Sequence, residues 1–141
     1  MLSHVDASDM TEAEKNHWKA VGYFFHSFWY MELIDRFGDV PWIDKPLDET
    51  SEEAYGTRMP RFEVADKVLE RLQWAEENIG DASVYEKKDG SNTINRDCVR
   101  AALSRFTLRE ATWRKYHELG SYDKYFTECI RVRSEEHTSE L

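Results

Sequence analysis

The chain is poor in the residues that mark several protein classes. It has two cysteines among 141 residues, too few for a disulfide framework. Three prolines and six glycines exclude collagen-like and low-complexity chains. No apolar run approaches the roughly 18 residues of a membrane-spanning helix. The opening MLSHVDASDM has neither the basic start nor the apolar stretch of a signal peptide. Basic residues are outnumbered, 19 Lys and Arg against 28 Asp and Glu, for a formal net charge of -9. That sign repels phosphate backbones, and no basic cluster offsets it, so nucleic-acid binding is disfavoured. No Gly-rich phosphate loop and no nucleophile elbow occurs. Aromatics are abundant: five Trp, seven Tyr and seven Phe. Hydrophobic residues make up 40% and charged residues 33%, the mixture of a globular domain or of a piece of one.

The last nine residues, Arg133 to Leu141, read RSEEHTSEL. That string is the translation of a sequencing-library adapter. Residues 133–141 are therefore read as a non-native tail, a native acidic tail being the alternative. Residues 1–132 are the native part, and the natural protein is expected to continue past Arg133.

Four helical segments stand out. The first opens with Thr11-Glu12-Ala13-Glu14, a capping box. It is expected to run to Arg36 and stop at Gly38, with Pro41 beyond. Its middle, AVGYFFHSFWYMELI, is apolar on most faces, which calls for partners on several sides. A chain this short offers few, so part of that helix should stay uncovered. The second helix starts near Pro60 and ends at Gly80, with Val64, Val68, Leu69, Leu72, Ala75 and Ile79 forming its apolar stripe. The third follows Asn95, an N-cap, and runs toward Leu119, with Val99, Ala102, Leu103, Phe106 and Trp113 near one face. Gly120 closes it, and Ser121 can cap the fourth, whose apolar set is Tyr122, Tyr125, Phe126, Cys129 and Ile130. A Gly-Ser turn between two helices predicts an antiparallel hairpin. Phe37 to Arg58 is a long irregular stretch. Asp81 to Thr93 holds Asp89-Gly90, compatible with a short β-ribbon.

Chemistry-bearing patterns are sparse. Glu14 and His17 have the E-x-x-H spacing of di-iron bundles, but one copy alone is a chance match. His26, among aromatics, is expected to be a hydrogen-bonded core residue. Cys98 and Cys129 lie about 20 Å apart in height at ~1.5 Å per residue. A disulfide needs Cα atoms within ~7 Å, so small buried thiols are expected. Glu52-Glu53 and Glu76-Glu77 are expected on solvated faces. Trp18, Trp29, Trp74 and Trp113 lie on helices and are expected in the core. Trp42 follows a proline in the long loop. It is the one ligand-binding candidate, either a platform for sugar stacking or an anchor under the loop; the expectation is that it is mostly buried.

The string Arg36-Phe37-Gly38-Asp39-Val40-Pro41-Trp42, after a long aromatic helix, resembles the SusD/RagB family of Bacteroidetes outer-membrane nutrient-binding lipoproteins. The resemblance continues through Arg58-Met59-Pro60-Arg61 into VADKVLERLQWAEENIG, and through Thr93-Ile94-Asn95-Arg96 into VRAALSRFTLREATW. It covers roughly residues 10 to 132, and departs at Gly22-Tyr23-Phe24, where the family often has an Arg-Ala-Tyr step. What it implies is a mostly α fold of tetratricopeptide-like helical pairs with long irregular loops, here incomplete. It implies a location on the exterior of the bacterial outer membrane, through an N-terminal lipid anchor absent from this sequence. It also implies a SusC-type TonB-dependent transporter as partner, a glycan or peptide as ligand, no cofactor or metal, and binding instead of catalysis. No binding residue is carried over from the family. A helical-repeat interaction scaffold without direct ligand binding is the alternative.

Overall fold

The computed structural model describes residues 2–48, 50–51, 55–81, 83–85, 90 and 92–138, with backbone alone at 2–3 and 135–138. Its helices are α1 (Leu2–Val5), α2 (Glu12–Phe37), α3 (Arg61–Asn78), α4 (Arg96–Tyr116) and α5 (Tyr122–Thr138). The mostly α expectation holds, and α1 is an addition to the expected four.

Local chemistry sets the boundaries. The Thr11 hydroxyl accepts the Glu14 amide at 3.3 Å, while Glu14 accepts the Thr11 amide at 3.1 Å, so the capping box closes in both directions. Gly38 ends α2 at φ 69, a conformation that suits glycine, and donates its amide to Ile34 at 3.1 Å. Pro60 precedes α3 without a side-chain cap. Asp39 serves instead from the preceding loop, its carboxylate accepting the Arg61 amide at 2.8 Å. The Asn95 side chain accepts from the amides of Asp97 and Cys98 at 3.0 and 3.2 Å, as an N-cap should. Helix α4 ends at Tyr116, earlier than the expected Leu119. The reason lies in the turn, where Glu118, Gly120 and Ser121 all adopt positive φ. Helix α5 runs on through Arg133 to Thr138, and residues 139–141 lie outside the described set.

The helices form two antiparallel pairs. The start of α2 meets the end of α3, where buried His17 accepts the Gly80 amide at 3.0 Å through Nδ1 and stacks on Tyr85 at 3.6 Å. A short turn folds α5 back along α4, and α3 packs against α4 to join the pairs; α2 touches α4 only narrowly. The whole α3 stripe, Val64 to Ile79, is buried, and it meets Val21, Ile34, Leu103, Phe106 and Tyr125 in one core.

Several expectations are corrected. Trp29 is 65% exposed, with Phe25, Phe28 and Leu33 beside it, because α2 has one long partner for its many apolar sides; uncovered apolar area on that helix was expected, but not at Trp29. Trp18 and Trp74 do pack against the core. Trp113 is exposed because it sits about 100° round the helix from buried Arg114. Ile130 is exposed, and Val132 takes the inward position. Glu76 is not solvated: it is 6% exposed and ion-paired to Arg100 at 2.9 Å and Arg131 at 2.5 Å. Burial opposes its ionisation, yet the two guanidiniums outweigh that and hold its carboxyl below the usual range. Glu52-Glu53 lie outside the described residues, as does Asp89 of the expected ribbon turn; residues 83–85 form a helical turn. Both cysteines are free, Cys129 buried and Cys98 half-buried.

A buried charge network fastens the pairs. Glu110, 1% exposed, accepts from Arg61 at 2.7 Å and from Arg114 at 2.8 Å. Arg114 also reaches Asp66 at 2.9 Å, and the buried Tyr125 hydroxyl donates to Asp66 at 2.5 Å. Burial raises the Asp66 carboxyl, but hydrogen bonds from Lys124 and Tyr125 and the charge of Arg114 outweigh it and leave it below the usual range. Burial and the bond to Asp66 push the Tyr125 phenol up, so it stays protonated. Removing one member of such a network strands buried charges, at a cost of ~3–5 kcal/mol. Glu110→Ala is therefore expected to lose about 3 kcal/mol or more in equilibrium urea unfolding; a loss of under about 1 kcal/mol would show that the network carries little stability.

Candidate functional site at the Trp42 loop

The Arg36–Trp42 string becomes a docked loop in which most residues have an identifiable task. Gly38 turns the chain, Asp39 caps α3, and Val40 is buried and forms an antiparallel bridge with Met59, with amide-to-carbonyl distances of 3.3 and 2.9 Å. Past the bridge, the loop lies along α2. Tyr30 holds it with one hydroxyl, which donates to the Pro41 carbonyl at 2.9 Å and accepts the Ile43 amide at 2.7 Å. His26, one turn earlier, meets the Ile43 carbonyl through Nε2 at 2.7 Å. Its Nδ1 faces the Arg71 guanidinium at 2.9 Å. The tautomer with the proton on Nε2 satisfies both the Ile43 carbonyl and the Arg71 guanidinium, which also lies 3.3 Å from Nε2.

Trp42 is half-buried and packs against the core. Its ring centroid lies 4.5 Å from Tyr30 and 5.1 Å from His26. Arg71 is 4.7 Å from that centroid and Lys67 is 5.6 Å away. Arg71 also lies 4.9 Å over Tyr23, whose edge meets Trp74, and it pairs with Asp44 at 3.5 Å. Cation–π contacts of this kind contribute ~0.5–2 kcal/mol each. The sequence points to Trp42 and to the hydrogen bonding of His26. It gives no sign of Arg71 or Tyr30 as the loop's holders, since a charged residue beside an apolar stripe reads as solvent-facing until the loop is seen to return to it.

Among the described residues, no group of three or more His, Cys, Asp and Glu side chains comes together as a metal site, and His17 and Glu14 do not form one. No described helix is long and apolar enough to cross a membrane. Tyr30 and His26 are engaged by the loop backbone, and Arg71 by His26, Asp44 and the aromatic rings. What the arrangement can do is hold an irregular segment in one shape and present the accessible part of Trp42 at the surface.

No family model matches the chain. Over 110 residues, 78% of the chain, it is 34% identical to SusD-like protein P2 of Formosa agariphila. The chain belongs to the SusD/RagB family. A crystal structure of a SusD-like protein from Bacteroides fragilis superposes on 90% of the chain with a TM-score of 0.65 at 23% identity, which shows a common helical fold. The chain spans 22% of the first relative's length and 23% of the second's. In this SusD-like segment, the FGDVPW string is the clasp that ties the end of α2 to the start of α3.

Burial, followed by the positive charge of Arg71, pushes the His26 imidazole below its ordinary 6.5. A folded-state value below the unfolded one means that the unfolded chain binds the proton more readily. The stabilisation is complete above about pH 6.5 and is lost as pH falls through the folded value. His26 ring protons are expected to titrate by NMR with a midpoint below 6.5. The unfolding free energy should fall from pH 7 to pH 5 by an amount that His26→Gln reduces. A midpoint above 6.5 would contradict the neutral clasp.

Proposed function

We propose that the chain is the helical-pair part of a nutrient-capture protein on the exterior of the bacterial outer membrane. Such a protein is lipid-anchored, binds a glycan or peptide, and passes it to a SusC-type TonB-dependent transporter. The observation that carries this reading is the docked FGDVPW loop on a SusD-like helical frame. In it, this segment is mainly scaffold. Trp42 contributes by holding the loop in shape, and its accessible part is what a ligand can reach. The reading is binding and not catalysis: the one described histidine at the loop is held between a carbonyl and a guanidinium, and the Tyr30 hydroxyl near it is engaged by the Pro41 and Ile43 backbone. Residues 133–141 remain, on this reading, an adapter-derived tail.

The engaged state of the Trp42 ring also favours a second reading, a helical-pair scaffold that contacts a partner protein without touching ligand. One pair of measurements separates them. A full-length protein carrying residues 10–132 is expected to bind glycans or peptides on arrays and to co-purify with a TonB-dependent transporter; silence on every array would contradict capture. Trp42→Ala should lower Tm, since truncating a half-buried aromatic costs ~2 kcal/mol. An unchanged Tm with ligand binding lost would instead make Trp42 a direct platform.

A further inference from the structure

The sides of α2 are covered unequally. One packs on α3 through Ala20, Val21, Phe24 and Ile34, and a second carries His26 and Tyr30 under the loop. The remaining side holds Phe25, Phe28, Trp29 and Leu33 at i, i+3, i+4 and i+8 spacing, a stripe of roughly two turns. Trp29 is largely exposed, and the other three are each more than a third accessible. The stripe is an outward continuation of the core. Buried Phe24 meets Phe25 at 5.3 Å and Phe28 at 6.3 Å, and Phe28 meets Trp29 at 6.3 Å. Beside Phe28, a groove of about 340 Å³ runs between α2 and α4. Phe24, Met31 and Phe106 of the core line it, with Ala101 and Ala102 on the α4 side. Its charged part comes from Glu32 and from Arg105 and Arg109, both exposed.

We infer that the stripe and the groove are the seat of the remainder of the same polypeptide, the part of the full-length protein outside residues 10–132. A contiguous apolar patch of this kind marks a contact surface. More than three quarters of the Formosa agariphila and Bacteroides fragilis proteins lies outside the segment they share with this chain, so a body larger than the two helix pairs accompanies such a segment. Two observations choose that occupant over an exchangeable partner. An aromatic stripe that grows out of the core has the character of a permanent contact, which resembles a core cut in half, whereas the contact surface of an exchangeable partner is about as apolar as ordinary surface. The contacts also place α2 and α4 in one layer and α3 and α5 in the other: α3 meets α4, and Asp66 and Glu76 of α3 reach Tyr125 and Arg131 of α5. A further helix pair continuing the stack would pack on α4 and α5 and leave the α2 stripe bare. The cover therefore comes from a segment that folds back across the α2–α4 layer and brings apolar side chains to Phe28 and Trp29.

The test uses a full-length protein carrying residues 10–132. In hydroxyl-radical labelling read by mass spectrometry, Phe28 and Trp29 are expected to lose, in the native protein, the oxidation they take up in urea, down to the level of buried Phe106. Trp29→p-benzoylphenylalanine then identifies the cover. Irradiation is expected to join position 29 to a peptide of the same chain outside residues 10–132, in a product of monomer mass. Native oxidation of Trp29 at its urea level overturns the inference by itself and needs no substitution. A cross-linked product of dimer mass overturns it by making the cover a second copy, and a product joined to another protein overturns it likewise. So does protection with no cross-link at all in a variant that circular dichroism melting shows to be folded. Glycan and peptide arrays read the capture function separately, so the capture reading stands or falls without regard to these results.

Discussion

One buried carboxylate organises the junction of the two helix pairs. Glu110 sits on α4 between the guanidiniums of Arg61, at the start of α3, and Arg114, one turn along its own helix. A buried charge is costly unless paired and hydrogen-bonded, and here each partner is itself paired again, Arg61 with Asp35 and Arg114 with Asp66. Apolar burial alone would let α3 and α4 slide or rotate with modest loss. A chain of charges reaches from Asp35 on α2 to Lys124 and Tyr125 on α5, and a slide of either helix would break its contacts.

The same chain of contacts leads outward to the surface features. Arg61 belongs to the network, receives the cap from Asp39 through its amide, and pins Trp113 with its guanidinium. The docked loop and the exposed aromatic face of α4 are thereby tied to one residue at the N-terminus of α3. The loop has its own lock in Tyr30 and His26, which satisfy the Pro41 and Ile43 backbone groups that an irregular segment would otherwise leave to water. The segment thus reads as a frame that holds irregular and aromatic surface elements in fixed positions.

Apolar spacing and capping chemistry were legible in the residues. The α3 stripe from Val64 to Ile79, the Thr11 capping box, the Asn95 cap and the Gly38 stop depend on neighbours within one helix, so local pattern suffices. The family was legible in Arg36–Trp42, a string in which Gly38, Asp39, Val40 and Trp42 each make a separate structural contact. Glu110, Arg114 and Glu76 were not legible. They occupy inward positions of amphipathic helices, where a polar letter reads as an interruption of the stripe, and only the i, i+4 spacing of Glu110 and Arg114 hints at a pair. Trp29 and Trp113 were misplaced for the converse reason. Aromatic character implies burial only when a partner element exists to cover it, and that is a property of the packing arrangement and not of the helix.

The central claim is that the buried charge network makes the two helix pairs a single cooperative unit. Native-state hydrogen exchange tests it most directly. Amides of Val68 and Leu72 in α3 and of Leu103 and Phe106 in α4 should share one opening free energy, equal to that of global unfolding. Separate values for the two pairs, with α4 and α5 opening while α2 and α3 stay closed, would contradict the account.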